Sequence, residues 1–149
     1  MSAVAFFGHR SYSYLEYREK IEAIIVDLIE NHEVTEFYNG FRGDFDRLCA
    51  EIVGKLKSLY PTIKNILVLS YHPRSEFVLP KFFDESVYLL EKPVLPKFAI
   101  TYTNQCIVDE ADFIISGVSL HSGGAWAACD YARRQQKKVI NIFENYQLP

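Results

Sequence analysis

The chain has 149 residues and a formal net charge of −3, with 49% hydrophobic and 23% charged residues. That length sets one domain as the expectation, and the composition excludes wholesale disorder. The acidic balance offers no general attraction to nucleic acid, no apolar run reaches membrane-span length, and the N-terminal MSAVAFFGHR lacks the basic start of a signal peptide. The expectations are therefore a cytoplasmic protein with no nucleic-acid partner and no membrane association. Cys49, Cys106 and Cys129 are widely spaced, lack a CxxC pattern, and read as reduced core thiols rather than metal ligands.

Ala3 to Phe7 is a continuous apolar run of the kind found in strands buried on both faces, and it ends at Gly8-His9-Arg10. Ser13 and Glu16 have capping-box spacing and predict a helix with the apolar stripe Ile21, Ile24, Ile25, Leu28 and Ile29, stopping near Asn31. A second strand, Val34 to Tyr38, leads into Asn39-Gly40-Phe41-Arg42-Gly43-Asp44, where Asp44 is the expected N-cap of a helix burying Leu48, Cys49, Ile52 and Leu56. Asn65 to Ser70 is a third strand. Between Tyr71 and Tyr102 the prolines and aromatics obscure any pattern, apart from a strand over Ser86 to Leu90, and so long an excursion reads as a lid, a binding loop or an oligomer contact. Thr103 is the expected cap of a short helix over Asn104 to Glu110. Phe113 to Ser116 then forms a strand that breaks at Gly117 into a loop ending Ser122-Gly123-Gly124, followed by a helix through Ala132. Lys138 to Phe143 closes the sheet. This alternation predicts an α/β fold, a three-layer sandwich with a mostly parallel sheet.

Six of the seven glycines (Gly8, Gly40, Gly43, Gly117, Gly123 and Gly124) fall where a predicted strand hands over to a helix. In a parallel sheet those handovers share the carboxyl edge, where ligands bind. Free backbone amides at the helix start after Gly123 suit a phosphate. His9, Arg10, Asn39, Arg42, Asp44 and Ser122 lie at the same edge, with Arg10 as the leading phosphate ligand. Walker A, dinucleotide-binding GxGxxG and GxSxG motifs are absent.

Four stretches together resemble the SLOG superfamily of Rossmann-like proteins, which includes the Lonely-Guy phosphoribohydrolases and Smf/DprA, and most closely its small YspA-like members. They are Phe6 to Arg10 (FFGHR), Phe37 to Glu51 (FYNGFRGDFDRLCAE), Thr103 to Ile115 (TNQCIVDEADFII) and Ser122 to Ala132 (SGGAWAACDYA). The resemblance implies a Rossmann-like sheet and a pocket for a nucleotide or nucleotide-derived, ADP-ribose-like ligand. Asn104 matches the asparagine of the YspA-like pattern. The hydrolase pattern PGGxGTxxE falls on Gly123 and Gly124, with Asp130 at the acid position as candidate catalytic residue, but Ser122, Trp126 and Ala127 depart from it. Three functions stay open: binding or sensing of a nucleotide-like molecule, N-glycosidic hydrolysis of nucleoside monophosphates, and a protein-interaction module. Neither a cofactor nor a metal is expected, and the aromatic content leaves room for a homo-oligomer.

Overall fold

A computed structural model describes residues 2–146. Six strands form one sheet in which every pairing is parallel: β1 (Ser2–Gly8), β2 (Val34–Asn39), β3 (Lys64–Leu69), β4 (Glu85–Tyr88), β5 (Phe113–Gly117) and β6 (Lys138–Asn141). Their spatial order is β4-β3-β2-β1-β5-β6. The order reverses beside β1, so β1 and β5 pair, with Val4 opposite Phe113 and Gly8 opposite Gly117, although β2, β3 and β4 lie between them in the chain. Such a reversal opens a crevice at the carboxyl ends of the two strands.

The alternation of β1 side chains builds the three layers. Val4 and Phe6 join Ile21, Ile24, Ile25 and Leu28 of α1 (Arg18–His32) and Leu48, Cys49 and Ile52 of α2 (Asp44–Leu56) in one core. Ala3, Ala5 and Phe7 join Ile107 and Val108 of α3 (Ala99–Glu110) and Ala128, Cys129 and Ala132 of α4 (Gly124–Arg134) in the other. Sequence runs with no polar alternation are what a strand covered on both faces requires.

Three helix starts differ from the sequence reading. The Ser13–Glu16 capping box does not form; a 3-10 turn, Leu15–Tyr17, precedes α1, whose first residue is Arg18 with no side-chain cap. The cause is Tyr14, 2% exposed, whose hydroxyl accepts from the His9 amide at 2.9 Å and donates to the Gly117 carbonyl at 2.6 Å. Pulling that ring over the ends of β1 and β5 delays the helix. Asp44 is not the cap of α2, because Gly43 occupies that position, and the Asp44 carboxylate accepts from the Tyr12 amide at 3.0 Å instead. Thr103 lies fully buried inside α3, which starts earlier, just after a 3-10 turn opened by Pro96.

The β3–β4 connection contains no helix. Asn65 holds it: its Nδ2 donates to the carbonyls of Ala50 and Phe82, and its amide donates to Asp84. The strand expected over Ser86 to Leu90 starts and ends slightly earlier, at Glu85 and Tyr88, and is one of the sheet's two edge strands. Of the three cysteines, Cys49 and Cys129 are core thiols, while Cys106 is only half-buried.

Candidate functional site

A cavity of about 370 Å³ occupies the carboxyl edge at the strand-order reversal. The end of β1 supplies Phe7, Gly8, His9 and Arg10; the turn into α2 supplies Arg42, Gly43 and Asp46. Helix α3 contributes Ile100 and Asn104, and the start of α4 contributes Gly123, Gly124 and Ala125. Eight of the residues expected at the ligand therefore converge: Gly8, His9, Arg10, Arg42, Gly43, Asn104, Gly123 and Gly124.

The other expected residues lie outside that lining. Asn39 is fully buried and shapes the turn, donating to the Asp46 carbonyl at 2.8 Å and accepting from the Phe41 amide at 2.7 Å. Gly117 sits beneath the rings of Tyr14 and Phe45, and Gly40 lines an adjoining cavity. Asp44 holds the Tyr12 amide, and Ser122 is exposed one residue before the lining begins. Asp130 is half-buried on α4, where it pairs with Arg134 at 3.2 Å one turn on.

Two guanidinium groups dominate the electrostatics. Arg42 is half-buried; its Nη1 donates to Asn104 Oδ1 at 2.8 Å and its Nη2 donates to the Ser70 hydroxyl. Both partners are neutral. Burial pushes the Arg42 pKa down, and the nearby positive charge of Arg10 acts the same way, against the opposing pull of Asp46. Neither Arg10 nor Arg42 makes an ion pair among the described residues. A guanidinium drawn out of water without a carboxylate in contact is costly unless something else neutralises it.

The facing wall is the start of α4, where the first amides of any helix lack intrahelical acceptors and carry the positive end of the helix dipole. Gly123 has φ +94°, a left-handed conformation that favours glycine. Gly124 has no such requirement, and a Cβ placed there meets nothing within 4 Å. Packing within the chain thus gives no reason for glycine at 124. His9 orders the loop after β5, its Nε2 accepting from the Ser119 amide at 3.0 Å.

Asp46 is the residue the sequence reading missed. Its signal is the second acid of Asp44-Phe45-Asp46, one position behind the phenylalanine that follows the expected helix cap. Asp46 keeps a little accessible surface, yet protein packs closely around its carboxyl. Its Oδ2 accepts from the Arg42 amide at 3.0 Å, while Oδ1 is buried with no partner. Burial raises its pKa to about 6, against the hydrogen bond from Arg42 and the charges of Arg42, Arg10 and Arg47.

A carboxyl that binds its proton more tightly when folded than when unfolded makes folding less favourable as it ionises. The stability cost therefore grows as pH rises from about 4 to about 6 and stays constant above that. We expect Asp46→Asn to match the parent near pH 4 and to exceed it by about 1–2 kcal/mol at pH 7.5. Urea denaturation at both pH values checks this; an equal difference at both contradicts it.

Fold and site together define a Rossmann-like α/β chain with an arginine-lined cavity at its switch point. No family model matches the chain, and no curated protein matches it. Among solved structures it is similar to DNA processing protein A (DprA) from Streptococcus pneumoniae, with TM-score 0.67 and 19% identity over 93% of this chain and 49% of that one. It is also similar to DNA processing protein A from Helicobacter pylori, a structure described for its single-stranded DNA binding mode. That match has TM-score 0.65 and 16% identity over 93% of this chain and 63% of that one. The chain thus spans about half the length of the first and less than two thirds of the second. At such identities the likeness is one of fold, and it agrees with the SLOG resemblance at that level.

The expectation of no nucleic-acid partner does not stand, because a chain of this fold is described as binding single-stranded DNA. That expectation rested on the net charge of −3, an average over the whole chain that says nothing of two arginines converging on one cavity. As for membranes, no described helix is long and apolar enough to cross one.

Proposed function

We propose that this pocket binds the phosphate of a nucleotide or nucleotide-derived molecule, as a small YspA-like member of the SLOG superfamily would. ADP-ribose-like compounds and the phosphates of a nucleic-acid strand fall within that class. The observation that carries the reading is the Arg42 guanidinium, half-buried in the lining, bonded only to neutral oxygens and close to a second unpaired arginine. A phosphate between the arginines and the α4 amides supplies the missing negative charge and accepts from both sides.

Gly124→Val tests the reading without disturbing the core, because the added side chain enters open space. The variant is expected to stay within about 0.5 kcal/mol of the parent in stability. Its affinity for adenosine 5′-monophosphate (AMP), measured by calorimetric titration, is expected to fall by about 10-fold, the size of effect an overfilled site produces. Unchanged affinity counts against a phosphate at this helix start.

A second reading, cleavage of the N-glycosidic bond of a bound nucleoside monophosphate, is favoured by Asp46, the acid among the residues of the lining. An acid whose pKa is tuned toward neutrality suits stabilisation of an oxocarbenium-like sugar or direction of a water. Release of free adenine from AMP is its test, and intact AMP after prolonged incubation leaves binding as the function.

A further inference from the structure

Beside the phosphate cavity lies a second one, also about 370 Å³, lined by Arg10, Gly40, Arg42, Ile100 and the carboxyl end of β3 from Leu67 to Tyr71. Arg10, Arg42 and Ile100 line both, so the two are neighbouring chambers with Arg42 between them. Asn104 on one side and Ser70 on the other hold its guanidinium, which leaves further N–H groups free to donate. The chambers differ in chemistry. The first has the α4 amides and Asp46; the second has Leu67, Val68, Leu69 and Ile100, with Tyr71 at its rim. Tyr71 is 53% exposed, and its hydroxyl donates to the Pro96 carbonyl at 3.1 Å, which fixes a large aromatic ring at a solvent-facing edge.

Resting on the phosphate reading above, we propose that the second chamber takes the base of the same ligand, with Tyr71 as its stacking residue and Arg42 bridging base and phosphate sides. A flat apolar ring system buries its faces against Ile100 and the Tyr71 ring, where a sugar phosphate alone has nothing to place. An exposed, tethered tyrosine suits this role because base–aromatic stacking needs a face already held in position. The site then selects nucleotides over phosphorylated sugars and over inorganic phosphate.

The experiment compares AMP with ribose 5-phosphate by calorimetric titration against the parent chain, Tyr71→Ala and Tyr71→Phe. In the parent, AMP is expected to bind about 10-fold more tightly than ribose 5-phosphate. Tyr71→Ala is expected to bring that ratio near one without weakening ribose 5-phosphate, and Tyr71→Phe, which keeps the ring and drops the hydroxyl, to retain most of it. A 5′-phosphorylated single-stranded DNA dinucleotide separates the two sources of such a base. A free-nucleotide site prefers AMP, a strand site prefers the dinucleotide, and whichever binds more tightly depends on Tyr71. Equal affinity of AMP and ribose 5-phosphate in the parent, or a ratio untouched by Tyr71→Ala, overturns the base chamber while leaving the phosphate site standing. Failure of every one of these phosphates to bind overturns both.

Discussion

Arg42→Ala is expected to weaken AMP binding by about 100-fold or more, the scale on which removing one member of an enclosed charged pair acts. Three consequences combine. The guanidinium in the cavity lining is gone, and with it the fork geometry that would match the proposed phosphate's oxygens. Asn104 Oδ1 and the Ser70 hydroxyl, both on buried residues, lose the donor that holds them. The wall between the two cavities disappears as well. Arg42→Lys separates charge from shape: a lysine restores a positive charge but not two donors reaching Asn104 and Ser70 at once, so about a tenth of the parent affinity is expected to return. Calorimetric titration reads both variants. An Arg42→Ala protein binding within about 3-fold of the parent contradicts a phosphate contact at this group.

Gly43→Ala is expected to destabilise the fold by about 2–3 kcal/mol, as insertion into packed backbone does. The reason is contact, not conformation. The φ of Gly43 is −169°, extended backbone that any residue adopts. A Cβ there would overlap the Cα of Arg10, and the two loops are tied at that point by a bond from the Asp44 amide to the Arg10 carbonyl at 2.9 Å. Backbone facing backbone has no rotamer through which to yield. The loops must part, Arg10 moves off the cavity, and binding falls along with stability. Gly124 lines the same cavity with the opposite expectation, since space surrounds it. Urea denaturation of the two glycine variants side by side reads the contrast directly; a Gly43→Ala chain as stable as its parent contradicts the close approach.

The strands were legible because burial on both faces leaves an unbroken apolar run, as in Ala3 to Phe7 and Phe113 to Ser116. The position of the carboxyl-edge cavity was legible from glycines at the handovers, of which Gly8, Gly43, Gly123 and Gly124 line it. Gly8 and Gly117 turn out to be register partners in neighbouring strands, close beneath the Phe45 ring. The starts of α1, α2 and α3 were not legible, because side chains that look like caps had distant uses, whereas α4 begins at the glycine pair as expected. Asp44 reaches Tyr12, and Thr103 is inside a helix that local turn chemistry at Pro96 begins earlier. Asp46 was hidden for the same reason: nothing local distinguishes an acid on the surface of a helix from one enclosed by packing, with its Oδ2 accepting from the Arg42 amide of the turn before α2. The pairing of Arg42 with Asn104 and Ser70 joins residues 62 and 28 positions away. Only the folded sheet edge brings them together.

The proposed phosphate site is tested most directly by where a nucleotide sits in a crystal of the protein grown with AMP. The phosphate oxygens are expected at about 3 Å from an amide at the start of α4 and from the Arg42 guanidinium. AMP bound at another face, with the cavity between Arg42 and Gly124 unfilled, would contradict the assignment.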